Sequence, residues 1–135
     1  MNQTKVKSIL LAAGAMNVGA VLLFSRFFTN SAINEADPVV MSNFGLIMIV
    51  VWGFAYLGAA TINANIKYLA GAFFIEKLVY VVVWVNWLSN NTLSPVYEAD
   101  TMAGVFYTIY GVNDFIFMIL FFMIFKSKFE MKNNG

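Results

Sequence analysis

Residues 68–88 read YLAGAFFIEKLVYVVVWVNWL, and this stretch decides the fold class. A helix rises ~1.5 Å per residue, so about 20 apolar residues cross the ~30 Å hydrocarbon core of a bilayer. The stretch has that length and is apolar at both ends, yet Glu76 and Lys77 sit at its centre. A charge at that depth costs roughly 2.5–3.5 kcal/mol on insertion scales. Pairing, protonation or a watery cavity normally offsets such a cost. The two residues therefore mark the place where a site is expected, without naming its chemistry.

Three more apolar segments lie around this one, at about residues 8–28, 40–62 and 103–125. The last carries Asp114 within its apolar run. Four such segments cannot close a β-barrel, and lipid tolerates no open sheet edge, so all four are expected to be helices. The predicted fold is all-α: a polytopic membrane protein with four transmembrane helices in an antiparallel bundle, forming one membrane domain over 1–135. Composition agrees, at 61% hydrophobic and 11% charged over 135 residues. The first segment has Lys5 and Lys7 in front, as a secretory signal does. Its apolar part is too long, however, and Ser25-Arg26-Phe27-Phe28 is no small-residue cleavage site, so a retained helix is expected.

Basic residues set the expected orientation. Lys5, Lys7, Lys67, Lys126, Lys128 and Lys132 fall on one side of a four-pass chain, and Glu35, Asp37, Glu98 and Asp100 fall on the other. The positive-inside rule then places both termini in the cytoplasm, in a bacterial inner membrane or its equivalent. Arg26 is the exception, and it is expected to snorkel outward or pair with a loop acid. Asp37-Pro38 reads as an N-cap with proline in the first turn, opening the second long helix. The short Asn63-Ala64-Asn65 turn makes the second and third long helices antiparallel neighbours. Ser94-Pro95 opens a short interfacial helix leading to Asp100. Trp84, Trp87, Tyr97 and Tyr107 form an aromatic belt at this outer edge. Glu-Ala-Asp occurs in both outer loops, at 35–37 and 98–100, but the flanking helices show no convincing identity, so a duplicated hairpin is not expected.

What the chain lacks narrows the chemistry further. It has no cysteine and no histidine. Disulfides, thiolate nucleophiles, Cys- or His-ligated metals and Ser-His-Asp chemistry are excluded. No phosphate loop or metal-ligand spacing is present, so no cofactor is expected. A net charge of +1 gives no pull on nucleic acid. The expected partners are membrane lipid and either further copies of the chain or a larger membrane complex.

Depth brings the polar residues to one level. Counted from Lys67, Lys126 and Lys7, Glu76, Asp114 and Asn17 lie roughly 13, 18 and 15 Å into the membrane. Spacing puts Glu76 and Tyr80 on one side of their helix, and Tyr107, Tyr110 and Asp114 on one side of theirs. Lys77 is rotated ~100° from Glu76. Either Lys77 faces Asp114 and Glu76 faces Asn17, or the reverse. The candidate binding residues are Glu76, Lys77, Asp114, Asn17, Tyr80, Tyr110 and Asn113. Small-residue pairs, Ala15 with Gly19 and Ala55 with Ala59, mark possible close helix approaches.

Three functions fit these features. The first is binding or transport of a small polar or cationic ligand, or a proton, at the midplane layer. The second is an accessory subunit whose charges pair with partner helices. The third is a membrane enzyme using Glu76 or Asp114 in acid–base work on a lipophilic substrate. The enzyme ranks last, because no nucleophile constellation accompanies the acids.

Overall fold

The computed structural model of the chain describes residues 1–128 and contains six helices there. They are α1 (Gln3–Phe24), α2 (Ser31–Ala36), α3 (Asn43–Ala59), α4 (Lys67–Asn90), α5 (Ser94–Ala99) and α6 (Thr101–Lys126). No strand occurs among the described residues. Lys132, counted above with the basic side, lies outside them. Three helices, α1, α4 and α6, are long and apolar enough to cross a membrane, and α3 is a shorter apolar helix.

The burial pattern is that of a membrane protein. Phe54, Ile75, Val79, Val82, Phe115 and Ile116 are exposed, while Glu76, Lys77, Asp114 and Asn17 are buried. A water-soluble chain would reverse that arrangement, because exposed apolar surface is costly in water and unpaired buried charge more so.

The helices pack as two tight antiparallel pairs, α1 with α3 and α4 with α6. Gly14 and Gly53 let α1 and α3 approach closely. A Cβ at Gly53 would come within 2.7 Å of Val18 and 3.0 Å of Asn17. The close approach thus uses Gly14 and Gly53, and the predicted Ala15–Gly19 pair is not its basis: Ala15 is exposed and Gly19 faces open space. In the second pair the Trp84 ring lies over Gly111, where any Cβ would overlap it. The indole N–H also donates to the Tyr107 carbonyl at 2.7 Å.

Across the pairs, contact is looser. The short turn does return α4 antiparallel to α3. The two meet chiefly through long side chains, with Trp52 and Tyr56 edge-on to Phe73, and not through close backbones. Two apolar clusters fill the ends of the bundle. Val6, Leu10, Ile66, Phe121 and Ile124 occupy the end that holds Met1 and Lys126. Val21, Ile33, Leu46, Trp87, Val96 and Tyr107 occupy the end that holds α2 and α5.

Helix limits differ from the sequence reading where local capping intervenes. Asp37 does cap a turn, accepting from the Val40 N–H at 3.2 Å, but the turn does not run on into α3. Ser42 is extended and caps afresh, accepting from the Gly45 N–H at 3.1 Å, so α3 begins at Asn43. Asp100 makes the same contact to Ala103 at 2.9 Å and opens α6 directly. Long helix, short helix, capping aspartate and long helix thus occur twice. The predicted short helix at Ser94 is present, and its counterpart α2 was not foreseen.

The first long helix ends at Phe24, four residues earlier than predicted. Arg26, Phe27 and Phe28 follow in the left-handed region, with φ of 48°, 54° and 66°. That conformation costs roughly 1–2 kcal/mol per residue. Side chains hold it in place. Ser25 Oγ accepts from the Phe28 N–H at 3.0 Å, and Asn30 Nδ2 donates to the Phe24 carbonyl at 3.0 Å. Arg26 pairs with Asp100 at 2.7 Å, the loop acid expected for it. Asn30 donates to the other Asp100 oxygen at 2.7 Å. Burial pushes the Asp100 carboxyl up, but hydrogen bonds from Arg26, the Ala103 N–H and Asn30 outweigh it and hold the group below the usual carboxylate range.

Candidate functional site

Between the two apolar clusters lies one polar layer, built from all four of the longer helices. Asn17 comes from α1, Tyr56 from α3, Glu76 and Lys77 from α4, and Asp114 from α6. Each is placed by helical spacing. Gly14, Asn17 and Val21 form the buried stripe of α1, and Tyr107, Tyr110, Asp114 and Phe117 form that of α6.

Lys77 is the centre of the layer and is 1% exposed. Its ammonium donates to Asp114 Oδ1 at 2.7 Å and to Asn17 Oδ1 at 2.9 Å. It also lies 5.3 Å from the centre of the Tyr56 ring, within cation–π range. The Asn17 amide donates in turn to the Ile49 carbonyl at 3.0 Å, which ties α1 to α3. Asn113 supports the ion pair by donating to Asp114 Oδ1 at 3.2 Å. Sequence spacing left two orientations open, and the structure takes neither in full. Lys77 captures both Asp114 and Asn17, and Glu76 turns to α3 instead.

Among the described residues Glu76 has one partner, the Tyr56 hydroxyl, which donates to Oε2. Its Oε1 is buried and accepts no hydrogen bond from any described residue. The Tyr110 hydroxyl is likewise buried without a partner among the described residues. Tyr80 lies partly buried one turn beyond Glu76. Tyr56 is the member of the layer that the candidate list missed. Its signal was the Trp52–Tyr56 spacing of four residues, which puts both rings on the face of α3 that meets α4.

Two openings flank the layer. One is a crevice between α1 and α6, with Asn17, Tyr110, Asn113 and Asp114 among its lining residues and a volume of about 30 Å³. Among the described residues no hydrogen bond reaches Asp114 Oδ2. The other is a wider groove between α3 and α4, about 310 Å³, lined by Trp52, Ala72, Ile75, Glu76, Val79 and Tyr80.

Comparison of the chain with protein-family models, with curated proteins and with solved structures finds no match. Among the described residues no group of three acids, histidines or cysteines converges as a metal site would require. Two carboxyl groups and one ammonium are brought together, and the ammonium is committed to one of the two.

Proposed function

We propose that the chain crosses the membrane four times with both termini in the cytoplasm, and that its polar layer binds a proton or another small cation near mid-bilayer. Lys5, Lys7, Lys67 and Lys126 lie at the end of the bundle that holds Met1, while Glu35, Asp37 and Glu98 lie at the other, which supports this orientation by the positive-inside rule. The 17 residues of α3 cover ~25 Å, enough to serve as the fourth pass at the short limit.

One observation carries the functional reading: among the described residues Glu76 Oε1 is buried with no partner, while the Lys77 ammonium donates to Asp114 and Asn17 instead. A buried carboxylate with a single hydrogen bond is costly, so this carboxyl takes up a proton or meets a cation. The crevice beside Asp114 supports a small occupant. Its 30 Å³ is room for about one water molecule beside the ion pair.

Infrared difference spectroscopy across a pH titration tests this directly. A protonated-carboxyl band that appears and disappears with pH is expected in the native chain and is lost in Glu76→Gln. The reading is wrong if the native chain shows no such band, or if the band persists unchanged in that variant.

A further inference from the structure

The groove between α3 and α4 gives Glu76 a second property. Its rim residues Ile75 and Val79 are exposed, at 59% and 54%, on the part of the surface that hydrocarbon would cover. It lies at the level of the polar layer, away from both ends of the bundle. A molecule reaching it would arrive from within the bilayer. On its floor is Glu76, 92% buried by its 8% exposure, with one carboxyl oxygen unpartnered. Trp52 and Tyr80 line the groove with it. Trp and Tyr faces attract organic cations, most strongly when the site is desolvated. At about 310 Å³ the groove matches the lower range of small-molecule sites.

From this juxtaposition we propose that the groove binds a lipophilic organic cation, an amine or quaternary ammonium carrying an apolar body, in exchange for the proton on Glu76. The apolar body lies against Ala72, Ile75 and Val79, and the cationic head meets the Glu76 carboxylate between the two rings. The exchange balances. Neutral Glu76 releases its proton to water as the cation binds, leaving a carboxylate–cation pair and an unchanged net charge in the layer. Lys77 and Asp114 keep their own pair throughout. The inference rests on Glu76 being the layer's exchangeable acid, as proposed above.

The test uses the full chain in detergent, at a pH where the infrared band shows Glu76 protonated. Benzyltrimethylammonium is the probe, since it cannot donate a proton itself, and neopentylbenzene is its neutral counterpart of the same shape. Weakly buffered solution with a pH indicator counts released protons. The expected result is saturable binding of the cation with release of about one proton per site, and no comparable binding of the neutral compound. Glu76→Gln should abolish the release and weaken binding by about tenfold or more. Ala72→Phe, which fills the groove from an exposed position, should remove cation binding and leave the carboxyl band intact. Absence of saturable cation binding overturns the inference, as does equal binding of the neutral compound or unchanged binding in Ala72→Phe. If the band titrates normally but the cation does not bind, only this inference falls. If the band itself is missing, the reading of Glu76 falls with it.

Discussion

Asp114 and Glu76 are two buried carboxyl groups in the same polar layer, and they are served unequally. Asp114 accepts from the Lys77 ammonium at 2.7 Å and from Asn113 at 3.2 Å. Glu76, the residue beside Lys77 in sequence, has only the Tyr56 hydroxyl among the described residues. The ~100° step between consecutive helical residues explains the inequality. It points Lys77 toward α1 and α6 and Glu76 toward α3, so adjacency in the chain keeps the two apart. The first acid ties α6 to α4 through Lys77, which also reaches Asn17 of α1. In the proposed reading the second is the acid that exchanges a proton or cation. Evenly shared partners would have made the layer a simple polar fastening between helices.

The largest effect should come from removing the shared base. Lys77→Met strands Asp114 as an uncompensated buried charge, and a loss of about 3–5 kcal/mol is expected in unfolding titrations in mixed micelles. The double variant Lys77→Met/Asp114→Leu should recover most of that loss, because it removes the charge as well as its partner. If the double variant is as unstable as the single one, Asp114 is not held in place mainly by Lys77.

Next in size is a change that leaves every charge alone. Gly111→Ala forces a methyl group against the Trp84 ring one turn from Asp114, and should cost about 1–3 kcal/mol by the same measurement. It disturbs the α4–α6 seam that aligns Lys77 with Asp114, and it should leave the Glu76 infrared band in place. Loss of that band in Gly111→Ala would mean that the two acids are not independent.

Asp100 offers a third carboxylate for comparison, one outside the layer. Asp100→Ala removes the cap of α6 and the partner of Arg26 and Asn30, and should cost about 1 kcal/mol. Its carboxyl is held below the ordinary range in the folded chain. Its contribution is therefore complete above about pH 4, the unfolded value, and is lost as the pH falls through the folded value. Stability followed from pH 6 down to about pH 2 should show this acid-side loss in the native chain and a smaller one in Asp100→Ala.

The smallest effect on stability should be that of Glu76→Gln. The amide can still accept from Tyr56, and single polar contacts between membrane helices average about 0.6 kcal/mol. Asp114→Asn, by contrast, should cost several times more, because it leaves Lys77 charged and buried. Equal costs for the two substitutions would erase the distinction between the acids.

Much of this layer was legible in the sequence, because depth along a helix follows from residue count alone. Counting placed Asn17, Glu76, Lys77 and Asp114 at one level, and all four are buried between the apolar clusters. The helical character and the pairing of Arg26 with a loop acid were legible for similar reasons of periodicity and cost. Partner choice was not. Whether Lys77 reaches Asp114 or Asn17 depends on how α1, α4 and α6 are rotated against one another, and backbone approach at Gly14–Gly53 and at Gly111–Trp84 sets that rotation. The left-handed turn at 26–28 was hidden too, since it is held by Ser25, Asn30 and the distant Asp100 and not by glycine. So was α2, whose six residues are too few to show a period.

The inequality of the two acids can be read residue by residue from the side-chain carboxyl carbons of Glu76 and Asp114, followed by NMR in carboxyl-labelled protein across a pH titration. The account predicts that the Glu76 carbon moves through a titration step while the Asp114 carbon stays at its carboxylate position, and that Lys77→Met removes this difference. A step at Asp114 with Glu76 unmoved, or two carbons moving together, would contradict it.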